Sequence, residues 1–308
     1  MNKSISLIAL VALIAGAAYI AAQNNSSSAF EEWKGKFGAN WPAGEEEYRR
    51  IIFERNVAVI NKHNADSTQS YKMGINQFTA MSQEEFVNTY LTPMGEGKEA
   101  TIETEYTPSN VNIDWAAKGG VSPVKNQGSC GSCWAFSATG VLEANQKIHG
   151  SNINLSEQQL VDCSGAYGNH GCQGGWPSNA LNYIIKAGGL HYENEYPYRG
   201  VNQNCQSNGG SFKLGGFSSA SGCAGLNNAI NSKPVSVTVD ATNWNKYQSG
   251  VFNNCAASIN HAVLLVGATD AYWKIKNSWG TGWGESGFIR ISQGNTCGVC
   301  AYAGVYPN

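Results

Sequence analysis

The chain has 308 residues, 42% of them apolar, enough for one large domain plus accessory segments, and this excludes disorder throughout. The formal net charge is -2 and the basic residues are scattered, so the charge pattern gives no support to a nucleic-acid partner. The 36 glycines, 14 tyrosines and 9 tryptophans point to a turn-rich, partly β second half.

The N-terminus opens Met1-Asn2-Lys3, runs uncharged from Ile5 to Ala22, and closes on Ala21-Ala22 before the polar "QNNSSS". A basic start, an apolar stretch and small residues at its end predict a signal peptide over 1–22. A membrane anchor is the alternative, since the stretch is just long enough to span a bilayer. An exported chain matures where disulfides persist. All nine cysteines lie after residue 129, and an odd count flags one thiol left over.

Between Glu45 and Asn64, the residues Glu45, Arg49, Phe53, Asn56, Ile60 and Asn64 recur at steps of three and four, which predicts a helix with these six on one face. Ile52, Val57 and Val59 widen its apolar surface, and an ordinary amphipathic helix would look the same. "YKMGINQF" (71–78) predicts a short strand, and Ser82-Gln83-Glu84-Glu85 is a capping box opening another helix. Residues 92–110, rich in Thr, Glu, Gly and Pro without period, predict a linker, and a boundary falls near 105–111.

Past that boundary, Trp134 to His149 predicts a helix stopped by Gly150, with Ser132 able to cap it. Ser156-Glu157-Gln158-Gln159 predicts a second capping box. From Pro234 onward, "PVSVTVD", "AVLLVGA", "YWKIKNSW" and "GFIRIS" are β-like runs separated by turn residues. A helical part therefore precedes a β-rich part, and no internal repeat is present.

The stretch "QGSCGSCWAF" (127–136) places Cys130 and Cys133 three apart. They could form a redox pair, half of a zinc site, one arm of a disulfide framework, or a catalytic thiol beside a structural one. A hydrolytic thiol must ionise near neutral pH, which a helix N-terminus and an adjacent imidazolium favour. It also needs a base, a group that orients the base, and donors for an oxyanion. Cys133 stands at the predicted helix start, whereas Cys130 lies in the loop before it.

"CGSCW" fits the C-G-[SA]-C-[WY] pattern around a papain-type nucleophile, whose His and Asn follow roughly 130 to 150 residues later. His261 lies 128 residues past Cys133 and Asn277 lies 144 past it. With "INHAVLLVG" and "IKNSWGTGWGESGFIRI", the chain from Asn112 to Pro307 resembles papain-family (C1) cysteine proteases in three blocks, in order. The resemblance implies an α+β, papain-like two-lobe fold: a helical left lobe, a β-barrel-like right lobe and an active-site cleft between them. It implies Cys133 as nucleophile, His261 as general base and then acid, Asn277 as its orienting partner, and Gln127 with the Cys133 backbone N–H as oxyanion donors. Trp279 resembles the indole that shields the Asn–His hydrogen bond. The implied reaction is thiolate attack on a peptide carbonyl, acyl-enzyme formation and hydrolysis, with no metal or organic cofactor.

The same resemblance implies disulfides joining Cys130 to Cys172, Cys163 to Cys205 and Cys255 to Cys297. Cys223 and Cys300 have no partner in the usual pattern; a fourth disulfide is expected, with two free thiols as the alternative. "CGVC" (297–300) keeps a four-thiolate zinc site as a weaker reading. A disulfide oxidoreductase lacks its βαβ context. His63, His149, His170 and His191 are expected at the surface.

The face Glu45, Arg49, Phe53, Asn56, Ile60, Asn64 then resembles the propeptide signature of the cathepsin L-like branch, of the I29 type. This implies a mainly helical inhibitory prodomain over 23–108, lying along the cleft, before a mature domain over 109–308. The next family block ends in an acid, but here it reads Gly74, Asn76, Phe78, Ala80, so an altered pH dependence of activation is expected. Only eight residues separate Cys163 from Cys172, leaving no room for a cleft-blocking His loop, and the leader carries no cysteine. Endopeptidase action is the expectation. The main specificity pocket is expected from Trp176, Pro177, Thr238, Ile259, Asn260 and Tyr302 (or Ala303), preferring an apolar P2 side chain, with Gly174 and Gly175 binding the substrate backbone. The expected partners are protein and peptide substrates and the chain's own propeptide, with no nucleic acid and no stable membrane association, in a monomer. The expected location is the secretory pathway, then a lysosome or digestive vacuole, or outside the cell. Asn154-Leu155-Ser156 is a glycosylation sequon, as are those at Asn24 and Asn25.

Overall fold

The computed structural model describes residues 28–94, 111–256 and 258–308. The expected signal peptide, Asn24, Asn25 and residues 95–110 lie outside that range. The leader contributes helix α1 (28–37), helix α2 (Ala43–Ala65), strand β1 (Tyr71–Met73) and helix α3 (Gln83–Tyr90).

Three residues on the six-residue face of α2, Arg49, Asn56 and Asn64, grip the segment that follows it. Phe53 is buried against Phe30 and Trp33, in a cluster that also takes in Ala80. Arg49 donates to the Ala80 carbonyl at 3.2 Å, Asn56 to the Thr79 and Met81 carbonyls at 2.8 and 2.9 Å, and Asn64 to the Met73 carbonyl at 2.8 Å while accepting the Met73 N–H. Residues 73–81 form no regular ladder beyond β1, so amide side chains satisfy backbone groups that would otherwise be stranded. The expected strand over 71–78 is thus only three residues long. It gives way at Asn76, whose side-chain oxygen accepts from Phe78 N at 2.9 Å in an Asx turn.

The left lobe is built on α4 (Cys133–Ile148), α5 (Glu157–Cys163) and α6 (Pro177–Ala187), whose inner faces form one cluster with Ala262, Leu264 and Val266. In the right lobe, α7 (Gly222–Ile230) packs on a sheet of β2 (Ile113–Asp114), β3 (Phe217–Ala220), β4 (Val235–Val239), β5 (Tyr247–Phe252), β6 (His261–Ala268), β7 (Tyr272–Lys276), β8 (Phe288–Ser292) and β9 (Gly304–Pro307). The strand order is β1-β5-β8-β7-β6-β4-β9-β3, with β2 pairing β6; β5 and β8 run parallel, and the other paired strands run antiparallel. Gly267 admits β2, since a Cβ there would lie 2.6 Å from the Ile113 carbonyl oxygen. The leader's β1 extends this sheet at its β5 edge, covering backbone groups that an edge strand would expose.

Two caps differ from expectation. Ser82 makes the full reciprocal box with Glu85, but Ser132 precedes α4 without a side-chain cap, its hydroxyl turned toward Tyr198. Ser156 accepts from Gln159 N, yet the Gln159 side chain leaves to bond Tyr183, the Gly209 carbonyl and His191 N, so that box is half made.

Four disulfides are present, Cys130–Cys172, Cys163–Cys205, Cys223–Cys300 and Cys255–Cys297, and Cys133 is free. Both cysteines of "CGVC" are therefore oxidised and have no thiolate to offer zinc.

Arg49 also reaches Glu85 at 2.8 Å and Glu45 at 2.8 Å. Burial works to raise the Glu85 carboxyl, but the Ser82 N–H and the Arg49 guanidinium hold it below its ordinary range. A lowered folded value means that this carboxylate stabilises the folded leader, in which all its partners lie, above its ordinary titration range, and that the contribution is lost as pH falls through the lowered value. Glu85→Gln is expected to flatten the pH dependence of leader release and to speed release near pH 6. Ala80→Asp, which adds a carboxylate near Arg49, is expected to shift the same profile. Autoprocessing rates measured from pH 4 to 7 check both, and superimposable profiles for wild type and Ala80→Asp would refute the second.

Candidate active site

Cys133 is the first residue of α4, so its sulfur sits at the positive end of a 16-residue helix. The backbone N–H of Ala262 and the side chain of Thr92 lie near the sulfur, and the Thr92 hydroxyl makes no full hydrogen bond. His261, the preceding residue, opens β6 and is fully buried. Its Nε2 lies 2.8 Å from Asn277 Oδ1, which also accepts from Ser278 N at 2.8 Å. An amide oxygen only accepts, so Nε2 carries the proton and Nδ1 keeps its lone pair; Nδ1 is buried with no hydrogen-bond partner.

The Trp279 indole stacks on the imidazole with ring centroids 4.8 Å apart, and it is buried. Its other surfaces meet the leader: Phe78, Phe86 and Tyr90 lie edge-on to it at 5.3 to 6.5 Å. Gln77 from the leader donates to the Trp279 carbonyl at 2.8 Å.

Gln127 is fully buried between the lobes. Its backbone N–H donates to the Ser278 carbonyl at 2.9 Å, its Oε1 accepts from Ser278 Oγ at 2.7 Å, and its Nε2 donates to the Cys130 carbonyl at 3.0 Å. The second Nε2 hydrogen points to the leader's Tyr90 carbonyl at 3.4 Å.

The leader crosses the site itself. Thr92 N donates to the Asn260 carbonyl at 3.0 Å and Met94 N to the Ile259 carbonyl at 3.3 Å. Residues 92–94, expected in the linker, are therefore part of the docked segment. Thr92 packs on Gly131 and Gly174, where an added Cβ would lie 2.4 and 3.1 Å from Thr92 atoms. Pro93 lines a cavity of about 260 Å³ together with His170, Gly174, Gly175 and Trp176.

This enclosure sets the electrostatics. Burial pushes the Cys133 thiol up to about 11, against the pull of the Ala262 N–H and the Thr92 hydroxyl. Burial pushes His261 down to about 4, opposed by the Asn277 hydrogen bond. With the leader in place, thiol and imidazole are both neutral at pH 7.

The expected pocket residues separate into several kinds. Trp176 and Tyr302 meet edge to face across the cleft, with centroids 5.1 Å apart. Pro177 occupies the first turn of α6. Thr238, on β4, is buried with its hydroxyl unpartnered, and Ile259 packs against Gly298. The Asn260 side chain turns inward, accepting from Ala241 N at 3.0 Å and donating to Thr242 Oγ1 at 2.8 Å, so only its carbonyl faces the leader. Gly174 leaves room for a chain in the cleft. Gly175 has a different reason to be glycine, because a Cβ there would lie 2.5 Å from Asn169 Oδ1 and 2.9 Å from the Trp134 ring. Sequence reasoning missed Thr92, which had no periodic signal, and Tyr198, which contacts both Gln127 and Ser132.

Residues 109–306 match the model of the papain family cysteine protease, and residues 30–86 match that of the cathepsin propeptide inhibitor domain (I29). Cathepsin L 2 of Paramecium tetraurelia is 41% identical over 292 residues, covering 90% of this chain and 91% of that protein. Among solved structures, a recombinant stem bromelain precursor superposes with a TM-score of 0.82 at 35% identity, covering 92% of this chain and 99% of that one. Digestive procathepsin L 3 from the larval midgut of Tenebrio molitor gives 0.80 at 36% identity, covering 92% and 98%. The chain belongs to the papain family of cysteine proteases, within its cathepsin L-like members, and carries its own propeptide inhibitor domain.

Proposed function

We propose that Cys133 is the nucleophile of an endopeptidase made as a zymogen, with His261 as acid–base group, Asn277 as its orienting partner, and Gln127 Nε2 with the Cys133 N–H as oxyanion donors. The observation that carries this reading is the leader segment 92–94, whose Thr92 and Met94 N–H groups donate to the Asn260 and Ile259 carbonyls while Thr92 packs on Gly131 and Gly174. A peptide chain thus already lies where a substrate would have to lie. The Tyr90 carbonyl at Gln127 Nε2 takes the direction that a substrate's carbonyl oxygen would take.

With the leader gone, water and the α4 dipole favour transfer of the thiol proton to His261 Nδ1. The thiolate then adds to the scissile carbonyl, and the oxyanion receives the two N–H donors. His261 returns the proton to the leaving nitrogen, which departs as amine and leaves a thioester. Water, deprotonated by the same Nδ1, hydrolyses the thioester and frees the sulfur. None of the four side chains requires a metal or organic cofactor for these steps.

The Trp176–Tyr302 contact supports a short, apolar P2 pocket. The eight-residue spacing from Cys163 to Cys172 supports an open cleft and internal cleavage. The proposed processing leaves a monomeric mature domain over 109–308 after removal of a signal over 1–22 and a leader over 23–108. The proposed setting is the secretory pathway, leading to a lysosome, a digestive vacuole or the exterior. Among the described residues, no helix is long and apolar enough to cross a membrane.

Cys133→Ser is expected to abolish cleavage of an internally quenched, end-blocked peptide; undiminished cleavage would refute the assignment. In the intact zymogen, alkylation of Cys133 is expected to be slow at pH 7 and to rise about tenfold per pH unit toward its value near 11. After leader removal a neutral-pH plateau should replace that slope, as iodoacetamide kinetics will show. Tyr302→Ala is expected to shift P2 preference toward larger side chains by about tenfold in kcat/KM, within the range for pocket-size discrimination. A P2 peptide library reads this directly, and an unchanged profile would remove Tyr302 from the pocket.

A further inference from the structure

Tyr198 lies in the loop after α6, and its hydroxyl is 2.8 Å from the Gln127 carbonyl and 2.7 Å from Ser132 Oγ. Proton counting fixes the direction of both bonds. The Gln127 carbonyl can only accept, so the phenol donates to it, and the Ser132 hydroxyl must then donate to the phenol oxygen. The alternative acceptor for Ser132, the Cys130 carbonyl, is more distant at 3.5 Å. The chain Ser132 O–H to Tyr198 O–H to Gln127 C=O therefore staples together the two ends of the loop over 127–132.

That loop carries the amide of Gln127 at one end and delivers the backbone N–H of Cys133 at the other. The right lobe holds Gln127 through Ser278, at the backbone and at Oε1. From the left lobe, Tyr198 holds its carbonyl. The ring itself is fixed edge-on against Phe136 in the first turns of α4, with centroids 4.9 Å apart, and the Tyr198 N–H is tied to Glu193 Oε1 at 2.8 Å. The clamp also fits the missing cap on α4, because it turns the Ser132 side chain toward the phenol rather than toward the N–H groups of the first turn.

We propose that Tyr198 is the positioning residue of the oxyanion hole, setting the distance between the Gln127 amide and the Cys133 N–H without touching substrate. This rests on the assignment of those two donors under the proposed function. A misplaced donor weakens the tetrahedral state more than the ground state, so the loss should appear in kcat rather than KM. It should spare any reaction of the sulfur that generates no oxyanion.

The test uses the full chain after proteolytic removal of its leader. Tyr198→Phe keeps the ring on Phe136 and removes only the hydroxyl. It is expected to lower kcat about tenfold, the worth of one well-placed hydrogen bond, with KM within about twofold. Inhibition by a peptide aldehyde, whose hemithioacetal oxygen needs the same donors, should weaken by the same factor. Alkylation by iodoacetamide, which displaces iodide at a saturated carbon, should keep its rate. Parallel loss of alkylation would show general damage and overturn the proposal, as would unchanged aldehyde affinity. If Tyr198→Phe fails to accumulate, Ser132→Ala breaks the staple at its donor end and is read in the same way. Proteolysis that survives Cys133→Ala would instead overturn the underlying assignment of the nucleophile.

Discussion

From Cys133 to Ala144, twelve successive residues of α4 are buried, leaving that part of the helix no face for solvent. One side packs on α5 and α6; the other packs on β6, where Ser137 Oγ donates to the Val263 carbonyl and meets Ser236 Oγ, both at 2.7 Å. A helix closed in all round acts as the common wall of two lobes. Its N-terminus must then emerge where the lobes part, and the start of β6 emerges beside it. The free cysteine opens α4 and the Asn-bound histidine opens β6, so both chain positions are set by how the lobes join.

Such a wall cannot be purely apolar when strands and loops end against it. Lys125 bonds Glu143 Oε1 at 2.7 Å and Glu157 Oε1 at 2.6 Å, while Ser122 donates to Glu143 Oε2 at 2.6 Å and receives from Lys276 Nζ at 3.0 Å. Burial holds the Glu157 carboxyl up, with Lys125 pulling it back, and lowers the Lys276 ammonium to about 8. Charges withdrawn from water in this way add little net stability, but removing one partner leaves an uncompensated ion. The consequence is geometric, because Lys276 immediately precedes Asn277 and Lys125 lies two residues before Gln127. The network therefore ties the chain segments that carry Asn277 and Gln127 to α4 and α5.

Much of this was legible in the sequence wherever one side chain has one local task. The face from Glu45 to Asn64 is periodic because Arg49, Asn56 and Asn64 all bond the segment after the helix while Phe53 and Ile60 are buried beside them, and Ser82 with Glu85 reads as a box because both partners lie within one turn. Ser132 and Gln159 were misread as caps, since nothing local shows that Tyr198 and Tyr183 compete for them. Strands β3 and β9 are four residues each, with a register set by pairing across almost ninety positions, and neither carries a pattern of its own. Asn260 was expected to face the substrate, but the Ala241–Thr242 turn offers its amide a donor and an acceptor from inside. Thr92 was assigned to a linker because a segment that borrows its hydrogen bonds from another lobe needs no periodicity.

The leader acts on the site by desolvation as well as by obstruction. It seats Phe78, Phe86 and Tyr90 around the same indole that covers the His261–Asn277 hydrogen bond, so docking and shielding share one residue. Enclosed in this way, thiol and imidazole have each lost the water that would support a charge, and neither lies in its charged form at neutral pH. An inhibitor that only blocked access would leave a reactive thiolate beneath it. One that also removes solvent makes the nucleophile inert while it stays. On the proposed mechanism, reactivity and access would return together, because the same departure that opens the cleft readmits the water that a charged thiolate and imidazolium need.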